Sequence, residues 1–136
     1  MDDLDIGGLS VKNVTFGEVT QVNGMNFVSA KFDGILGLAF QELSSQNTKS
    51  IIQYLYEQGQ IKEKSFAFFL SGEADSVGSV VTLGGVHANY SKEEIKFYKL
   101  VDFRYWMIGM KGFQMGDLKF NGNFKAIVDT GFYFFS

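Results

Sequence analysis

A carboxylate at the end of an apolar run is the strongest chemical feature of this sequence. Ala126-Ile127-Val128 leads directly into Asp129-Thr130-Gly131, which predicts a strand that delivers an acidic side chain into a tight turn. Thr130 adds a short hydroxyl beside the acid, and Gly131 can adopt the positive φ that turns the chain back beneath it. The tripeptide also occurs in ordinary β-turns, so its context must decide whether the acid is reactive.

Other side chains that could do chemistry have simpler explanations. His87 is the only histidine, so a Ser-His-Asp triad would have to use it, yet the sequence has no Gly-x-Ser-x-Gly elbow. Its polar neighbours predict a turn without a catalytic or metal role. Asp33 precedes Gly34 and is typical of a turn-forming carboxylate. The acidic cluster within Asp2–Asp5 lacks the spacing of a calcium loop, which favours a solvated chain end.

Composition narrows the class of protein. The 136 residues are 46% apolar and include 15 phenylalanines, which is enough for the core of one domain and too apolar for a disordered chain. The net charge of −3 comes from 12 basic and 15 acidic residues that are scattered along the chain, so nucleic acid is not expected as a partner. No apolar stretch approaches the roughly 20 residues that span a bilayer. The absence of cysteine excludes disulfides, thiolate catalysis and cysteine-based zinc sites.

The elements that must position these residues are mostly strands. Alternating or continuous apolar runs bounded by glycine and polar residues predict strands near Val11–Phe16, Phe27–Ala30, Phe66–Ser71, Ser79–Gly84, Ile95–Leu100, Trp106–Phe113 and Phe124–Val128.

One helix is predicted from Lys49 to Gln58, with Asn47 or Thr48 as its cap and Gly59 ending it. Its buried face would consist of Ile51, Ile52 and Leu55. A tight Asn-Gly turn is predicted at Asn121-Gly122.

Two further segments precede the tripeptide and give it a context. They are Phe32–Phe40, which reads FDGILGLAF, and Gly78–Gly85, which reads GSVVTLGG. In this order, the three segments resemble the middle of a pepsin-like aspartic protease. The resemblance runs from about Leu4 to Gly131 and also includes Lys64–Leu70 and Tyr105-Trp106.

The resemblance implies a fold as well as an activity. We expect a mainly β, partial pepsin-like acid protease fold of the bilobal β-barrel type, with one or two short helices. Residues 1–88 would be the C-terminal part of the first lobe, and residues 89–136 the N-terminal part of the second. The boundary would lie in the polar turn His87–Glu94.

The implied chemistry is hydrolysis of peptide bonds, for which this family uses two aspartates that share a proton and activate a water molecule between them. Asp129 would be the catalytic aspartate of the second lobe, and Thr130 and Gly131 would support its loop. The substrate would be a polypeptide, and neither a metal nor an organic cofactor would be needed. Phe132 departs from the family pattern, which has Ser or Thr at that position with a hydroxyl that steadies the aspartate.

The sequence contains only one of these two aspartates. Nothing before Phe32 matches a first Asp-Thr-Gly or a flap, and Asp5-Ile6-Gly7 lacks the hydroxyl and lies too close to the FDGILGL segment. Without the first aspartate above it, Ile35-Leu36-Gly37 is interpreted as a buried scaffold strand. Pairing of two copies is disfavoured because only Phe132–Ser136 follow the tripeptide. We therefore expect an internal fragment of an aspartic endopeptidase, inactive alone; the alternative is a non-catalytic β-rich binding or decoy module.

Two glycosylation sequons bear on the location of the protein. They are Asn13-Val14-Thr15 and Asn89-Tyr90-Ser91. With the family resemblance, they favour a secreted or a lysosomal or vacuolar protein, although the acidic start Met1–Asp5 is unlike the basic beginning of a signal peptide.

Overall fold

Strands dominate the computed structural model, which describes residues 1–21, 32–72, 78–91 and 93–131. The mainly β class predicted from the sequence is confirmed. The strands are β1 (Asp2–Ile6), β2 (Leu9–Val14), β3 (Phe66–Phe69), β4 (Val80–Leu83), β5 (Leu100–Asp102), β6 (Met107–Met115) and β7 (Leu118–Ile127). Within these described ranges one α-helix forms, α1 (Ile51–Glu57), with short 3-10 turns at Gln41–Leu43 and Ala88–Tyr90.

The chain forms two compact units. The first comprises Met1–Leu38 and Thr48–Lys92 and holds β1 to β4 and α1; the second comprises Ala39–Asn47 and Glu93–Ser136 and holds β5 to β7. The assignment of residues 1–88 and 89–136 to two lobes stays a prediction.

The core of the first unit lies between the β1–β2 hairpin and α1. β1 and β2 pair antiparallel, and β2 turns two valines inward against apolar side chains of the helix and of the segment that follows it. Burial of such side chains is the main stabilising term of a small core. Its fully or almost fully buried members are Val11, Val14, Ile51, Ile52, Leu55 and Ile61. β1 itself was not predicted from the sequence, because its alternating aspartates conceal the strand pattern.

The helix begins later than predicted. Its N-cap is Ser50, whose side-chain oxygen accepts a hydrogen bond from the backbone N–H of Gln53, so the predicted caps at Asn47 and Thr48 are wrong. The buried face is confirmed, and Gly59, at a φ of 71°, follows the C-cap as predicted. Among the described residues, no helix is both long enough and apolar enough to cross a membrane.

β3 and β4 form a second antiparallel pair in the first unit, with Phe66 opposite Leu83 and Phe69 opposite Val80. Gly84 ends this pair in a left-handed conformation at a φ of 84°. A Cβ at this position would lie 2.6 Å from the Cβ of Ile61, so the close approach requires glycine.

The second unit is a three-stranded antiparallel sheet in the order β5-β6-β7. β6 and β7 form one long hairpin whose turn is Gly116-Asp117, where Gly116 has a φ of 58°. The turn predicted at Asn121-Gly122 is wrong, because both residues lie inside β7 at a register shift of the hairpin.

Two other predicted strands are not found as predicted among the described residues. The strand predicted at Ile95–Leu100 is wrong in extent, since β5 begins only at Leu100. The strand predicted at Phe27–Ala30 lies outside the described residues.

Candidate active site

The acid singled out in the sequence lies where a strand gives way to a turn. β7 ends at Ile127, and the next residue, Val128, donates its backbone N–H to the carbonyl oxygen of Trp106 at 2.9 Å. Asp129 follows directly, and its Oδ1 accepts a hydrogen bond from the backbone N–H of Gly131 at 2.8 Å. Strand pairing therefore fixes the start of the turn, and the turn itself orients one carboxylate oxygen.

Trp106 anchors this region from the neighbouring strand. It precedes β6, whose first residue, Met107, pairs with Ile127 at the end of β7. The Trp106 ring packs against Phe40 with 4.5 Å between the ring centroids, a contact type that contributes about 0.5–1.5 kcal/mol beyond the area it buries. No local sequence pattern predicts this supporting role of Trp106, because Tyr105-Trp106 contributes only to the family resemblance.

The carboxylate of Asp129 is open to solvent, as are Thr130 and Gly131. Within the part of the chain that the structure describes, Oδ1 is the only oxygen of Asp129 with a hydrogen-bond partner, and that partner is not another carboxyl group. The site therefore presents one oriented acid with Oδ2 unoccupied by protein groups of the described residues.

Gly131 contributes through its backbone N–H. It is not among the glycines with positive φ, so the predicted left-handed conformation is wrong. A Cβ at position 131 would lie 3.5 Å from Oδ1 of Asp129, which is an ordinary van der Waals distance. Phe132, whose aromatic ring replaces the expected hydroxyl, lies outside the described residues.

A second acid, Asp102, lies at the same end of this sheet but on the opposite edge strand, since it pairs with Met107 and Met107 pairs with Ile127. Asp102 ends β5, and its carboxylate accepts hydrogen bonds from the Arg104 side chain and from the Arg104 backbone N–H, the latter at 2.8 Å. These contacts, the side-chain hydrogen bond first, lower the pKa of Asp102 and raise that of Arg104. The pair shapes the turn between β5 and β6, so this carboxylate is already engaged.

His87 occupies a turn, as its sequence neighbours predicted. Its Nδ1 accepts a hydrogen bond from the backbone N–H of Asn89 at 3.3 Å, and its ring lies 5.5 Å from that of Tyr90. The histidine thus begins the 3-10 turn Ala88–Tyr90. Among the described residues, no group of three or more His, Cys, Asp or Glu side chains could hold a metal ion.

The structure corrects one interpretation of another segment and supports a second. The buried strand predicted at Ile35-Leu36 is wrong, because these side chains are 77% and 51% exposed and belong to no strand. The acidic residues near the start of the chain are exposed to solvent, as predicted, and they also belong to β1, where Asp3 forms an ion pair with Lys12 at 2.8 Å.

Comparison with known proteins identifies the family of this chain. The family model for eukaryotic aspartyl proteases matches residues 1–136. Cathepsin D of Canis lupus familiaris is 33% identical over 129 residues, which cover 93% of this chain and 32% of the relative. Aspartic protease 1 of Toxoplasma gondii is 37% identical over 133 residues, covering 96% and 21% respectively. Aspartic proteinase A3 of Arabidopsis thaliana is 38% identical over 139 residues, covering 96% and 26%. The chain therefore spans 21–32% of the length of these three relatives.

Proposed function

The chain belongs to the eukaryotic aspartyl protease family, and from this membership we propose that it is part of an aspartic endopeptidase in which Asp129 is one of two catalytic carboxylates. The observation that carries the proposal is the turn after β7. There the Gly131 N–H holds Oδ1 of Asp129 at 2.8 Å, and the carboxylate faces solvent. An acid presented in this way can meet both a water molecule and a second acid.

The proposed reaction uses that pair of acids without a metal or an organic cofactor. One carboxylate takes a proton from the attacking water, and the other, protonated, donates to the carbonyl oxygen of the scissile peptide bond. Asp129 supplies one member of the pair, and its Oδ2 atom has no hydrogen-bond partner among the described residues. A second aspartate outside these 136 residues supplies the other member, so the chain carries half of the catalytic site.

The supporting roles follow from the contacts of the turn. Gly131 orients the acid through its N–H, and Trp106 holds the strand end through its carbonyl oxygen. Preorganised contacts of this kind matter because a reacting group that is misplaced by about 1 Å can lose roughly 10²-fold in rate. Thr130, between the two anchored residues, completes the loop.

Substitution of the acid in the full-length protein tests the proposal. We expect Asp129→Asn to lower kcat for cleavage of an unfolded protein at acidic pH by at least about 10²-fold, because an amide cannot accept and return the proton. Asp117→Asn removes an exposed acid from the turn of the same hairpin and is the matched control. His87→Ala controls for a histidine-dependent mechanism.

The activities of these variants distinguish an aspartate-dependent from a histidine-dependent mechanism. The comparison requires that each variant has the unfolding temperature of the wild type, so that a loss of activity does not reflect a loss of folding. Loss of activity in Asp129→Asn alone supports the aspartic mechanism. Comparable losses in Asp129→Asn and His87→Ala would refute it and favour a mechanism that depends on the histidine.

A non-catalytic binding or decoy module is the second candidate, and one observation favours it. Among the described residues, Asp129 has no carboxyl partner. The two candidates differ in what surrounds this sequence in the gene. An upstream Asp-Thr-Gly or Asp-Ser-Gly with a flap tyrosine in the same reading frame would support the enzyme, and its verified absence would support the module.

We also propose that the protein follows a secretory route to the exterior or to a lysosome or vacuole. The two sequons and the family of the chain support this location. Microscopy of the tagged full-length protein in its own cells tests it, and a purely cytosolic signal would contradict it.

A further inference from the structure

A bulge in the β1–β2 hairpin sets the orientation of Asn13. The register pairs Asp2 with Val14 and Leu4 with Val11, so that Asp3 lies opposite both Lys12 and Asn13. Asp3 holds both residues: Oδ2 accepts from Lys12 Nζ at 2.8 Å, and Oδ1 accepts from the Asn13 backbone N–H at 3.2 Å. A bulge of this kind re-aims the side chains of the strand that contains the extra residue.

The bulge explains how β2 buries two valines three positions apart. In a regular strand, residues 11 and 13 would share a face, and residue 14 would point the opposite way. Here Val11 and Val14 are both buried, at 0% and 7% exposure, and Lys12 and Asn13 are both exposed. Asn13 takes a φ of 55°, which asparagine tolerates better than most residues. Its carboxamide makes no hydrogen bond to any residue that the structure describes.

We propose that Asn13 is an N-glycosylation site and that the bulge allows the folded hairpin to carry the oligosaccharide without disturbing the core. Asn13-Val14-Thr15 is the acceptor triplet, and its three residues have separate environments. The amide of Asn13 faces outward, Val14 packs inward, and the Thr15 hydroxyl accepts a hydrogen bond from the hydroxyl of Tyr54 at 3.3 Å. The proposal goes beyond peptide hydrolysis and rests only on the secretory route.

The transfer uses a lipid-linked oligosaccharide diphosphate as donor. The Nδ2 atom of Asn13 forms a bond to the anomeric carbon of the first sugar, and the bond from that carbon to the diphosphate oxygen breaks. The lipid diphosphate leaves with the electron pair, and the amide loses one proton to a base of the transferase. The Thr15 hydroxyl must be accessible to the transferase, so the transfer precedes the packing of Tyr54 against β2.

The experiment directs the full chain into the endoplasmic reticulum of a yeast host with an added leader. A reporter glycoprotein secreted from the same cells shows that the host transferase is active. After treatment with peptide N-glycosidase, which converts a glycosylated asparagine to aspartate, tryptic mass spectrometry reads the mass increase at position 13. Electrophoretic mobility before and after the enzyme reports on the intact chain.

Four variants locate the modification. Asn13→Gln and Thr15→Ala should abolish the glycan at position 13, whereas Thr15→Ser, which keeps the hydroxyl, should retain it. Asn89→Gln, in the second sequon, should leave the occupancy of Asn13 unchanged. An unmodified Asn13 beside a glycosylated reporter would overturn the proposal. A mobility shift that is lost in Asn89→Gln and kept in Asn13→Gln would overturn it as well.

Discussion

The backbone N–H of Gly131 donates to Oδ1 of Asp129 at 2.8 Å, so the turn that carries the acid also orients it. The contact spans only two residues and needs no other part of the protein. The position of the turn, in contrast, depends on Trp106, whose carbonyl oxygen holds Val128 at the end of β7. The orientation of the carboxylate is therefore determined within the turn itself. Its position in the fold depends on pairing with a residue from another part of the chain.

A single oriented acid leads to the first prediction, which concerns the 136-residue chain alone. We expect no measurable endopeptidase activity at acidic pH and no tight binding of a statine-type transition-state mimic. Such a mimic places its hydroxyl between two carboxylates, and Asp129 offers half of that preorganised site. Calorimetric titration and a casein-cleavage assay provide the two measurements. The prediction would be contradicted by a monodisperse monomer that cleaves casein and that loses this activity when Asp129 is replaced by asparagine.

The second prediction concerns the close approach of Gly84 to Ile61. Gly84→Ala would place a Cβ 2.6 Å from the Cβ of Ile61 and would also force alanine to a φ of 84°. The left-handed conformation costs about 1–2 kcal/mol, and the overpacking adds about 1–3 kcal/mol. We expect the free energy of unfolding to fall by the sum of these two costs.

Gly7→Ala is the matched control for this effect. Gly7 has a φ of 57°, and a Cβ there would meet nothing within 4 Å, so the variant carries the backbone cost alone. Urea unfolding followed by far-ultraviolet circular dichroism at low protein concentration compares the two. Equal losses in the two variants would show that Ile61 moves aside without cost.

The third prediction concerns the ion pair that holds the bulge. The hydrogen bond from Lys12, followed by that from the Asn13 N–H, lowers the pKa of Asp3 below its ordinary value of 3.8. A carboxyl whose pKa is lower in the folded state stabilises the fold above its unfolded pKa. This contribution is lost as the pH falls through the folded pKa.

Thermal unfolding between neutral and strongly acidic pH tests the contribution of Asp3. We expect Asp3→Asn and Lys12→Gln each to reduce the acid-induced loss of stability, and salt to weaken the effect because both side chains are at least half exposed. An acid transition that is unchanged in both variants would exclude this pair as a contributor.

Sequence patterns predicted those parts of the fold that local chemistry determines. The helix face of Ile51, Ile52 and Leu55 follows from their spacing alone, and the structure buries all three. The cap does not follow from local pattern, because several polar residues precede the helix and each of them has a side chain that can accept from a backbone N–H. Ser50 is the residue that caps the helix, through its contact with the N–H of Gln53. Asn121-Gly122 is a strong turn signal, yet pairing of β6 with β7 overrides it.

The candidate site also has features that local sequence predicts and features that depend on contacts between distant residues. The position of Asp129 after a strand could be predicted, since an apolar run and a turn tripeptide are adjacent in sequence. The contact between Trp106 and Phe40 joins residues that are far apart along the chain, and no local pattern encodes it. Ile35 and Leu36 looked like a core strand by composition, but burial depends on what covers a segment.

Aromatic side chains on the β6–β7 hairpin form an exposed cluster, which we call the hairpin patch: Phe113, Phe120 and Phe124. The rings of Phe113 and Phe120 stack at 4.6 Å, and Phe124 meets Phe113 edge-on at 5.7 Å. The three residues remain 45%, 43% and 37% exposed. Among the strands that the structure describes, β7 is also an edge strand of its sheet, and such a strand can pair with another chain through its backbone. Both features favour association between chains.

The fourth prediction is that the isolated chain self-associates through the hairpin patch. We expect Phe120→Lys to shift sedimentation toward the monomer, because a charge in the patch opposes burial of its neighbours. Phe97→Lys adds the same charge at a phenylalanine that is 92% exposed and outside the patch, so it controls for the change in net charge. Circular dichroism verifies that both variants remain folded. If Phe97→Lys dissociates the chain as effectively as Phe120→Lys, repulsion between charged chains explains the effect and the hairpin patch is not the contact surface.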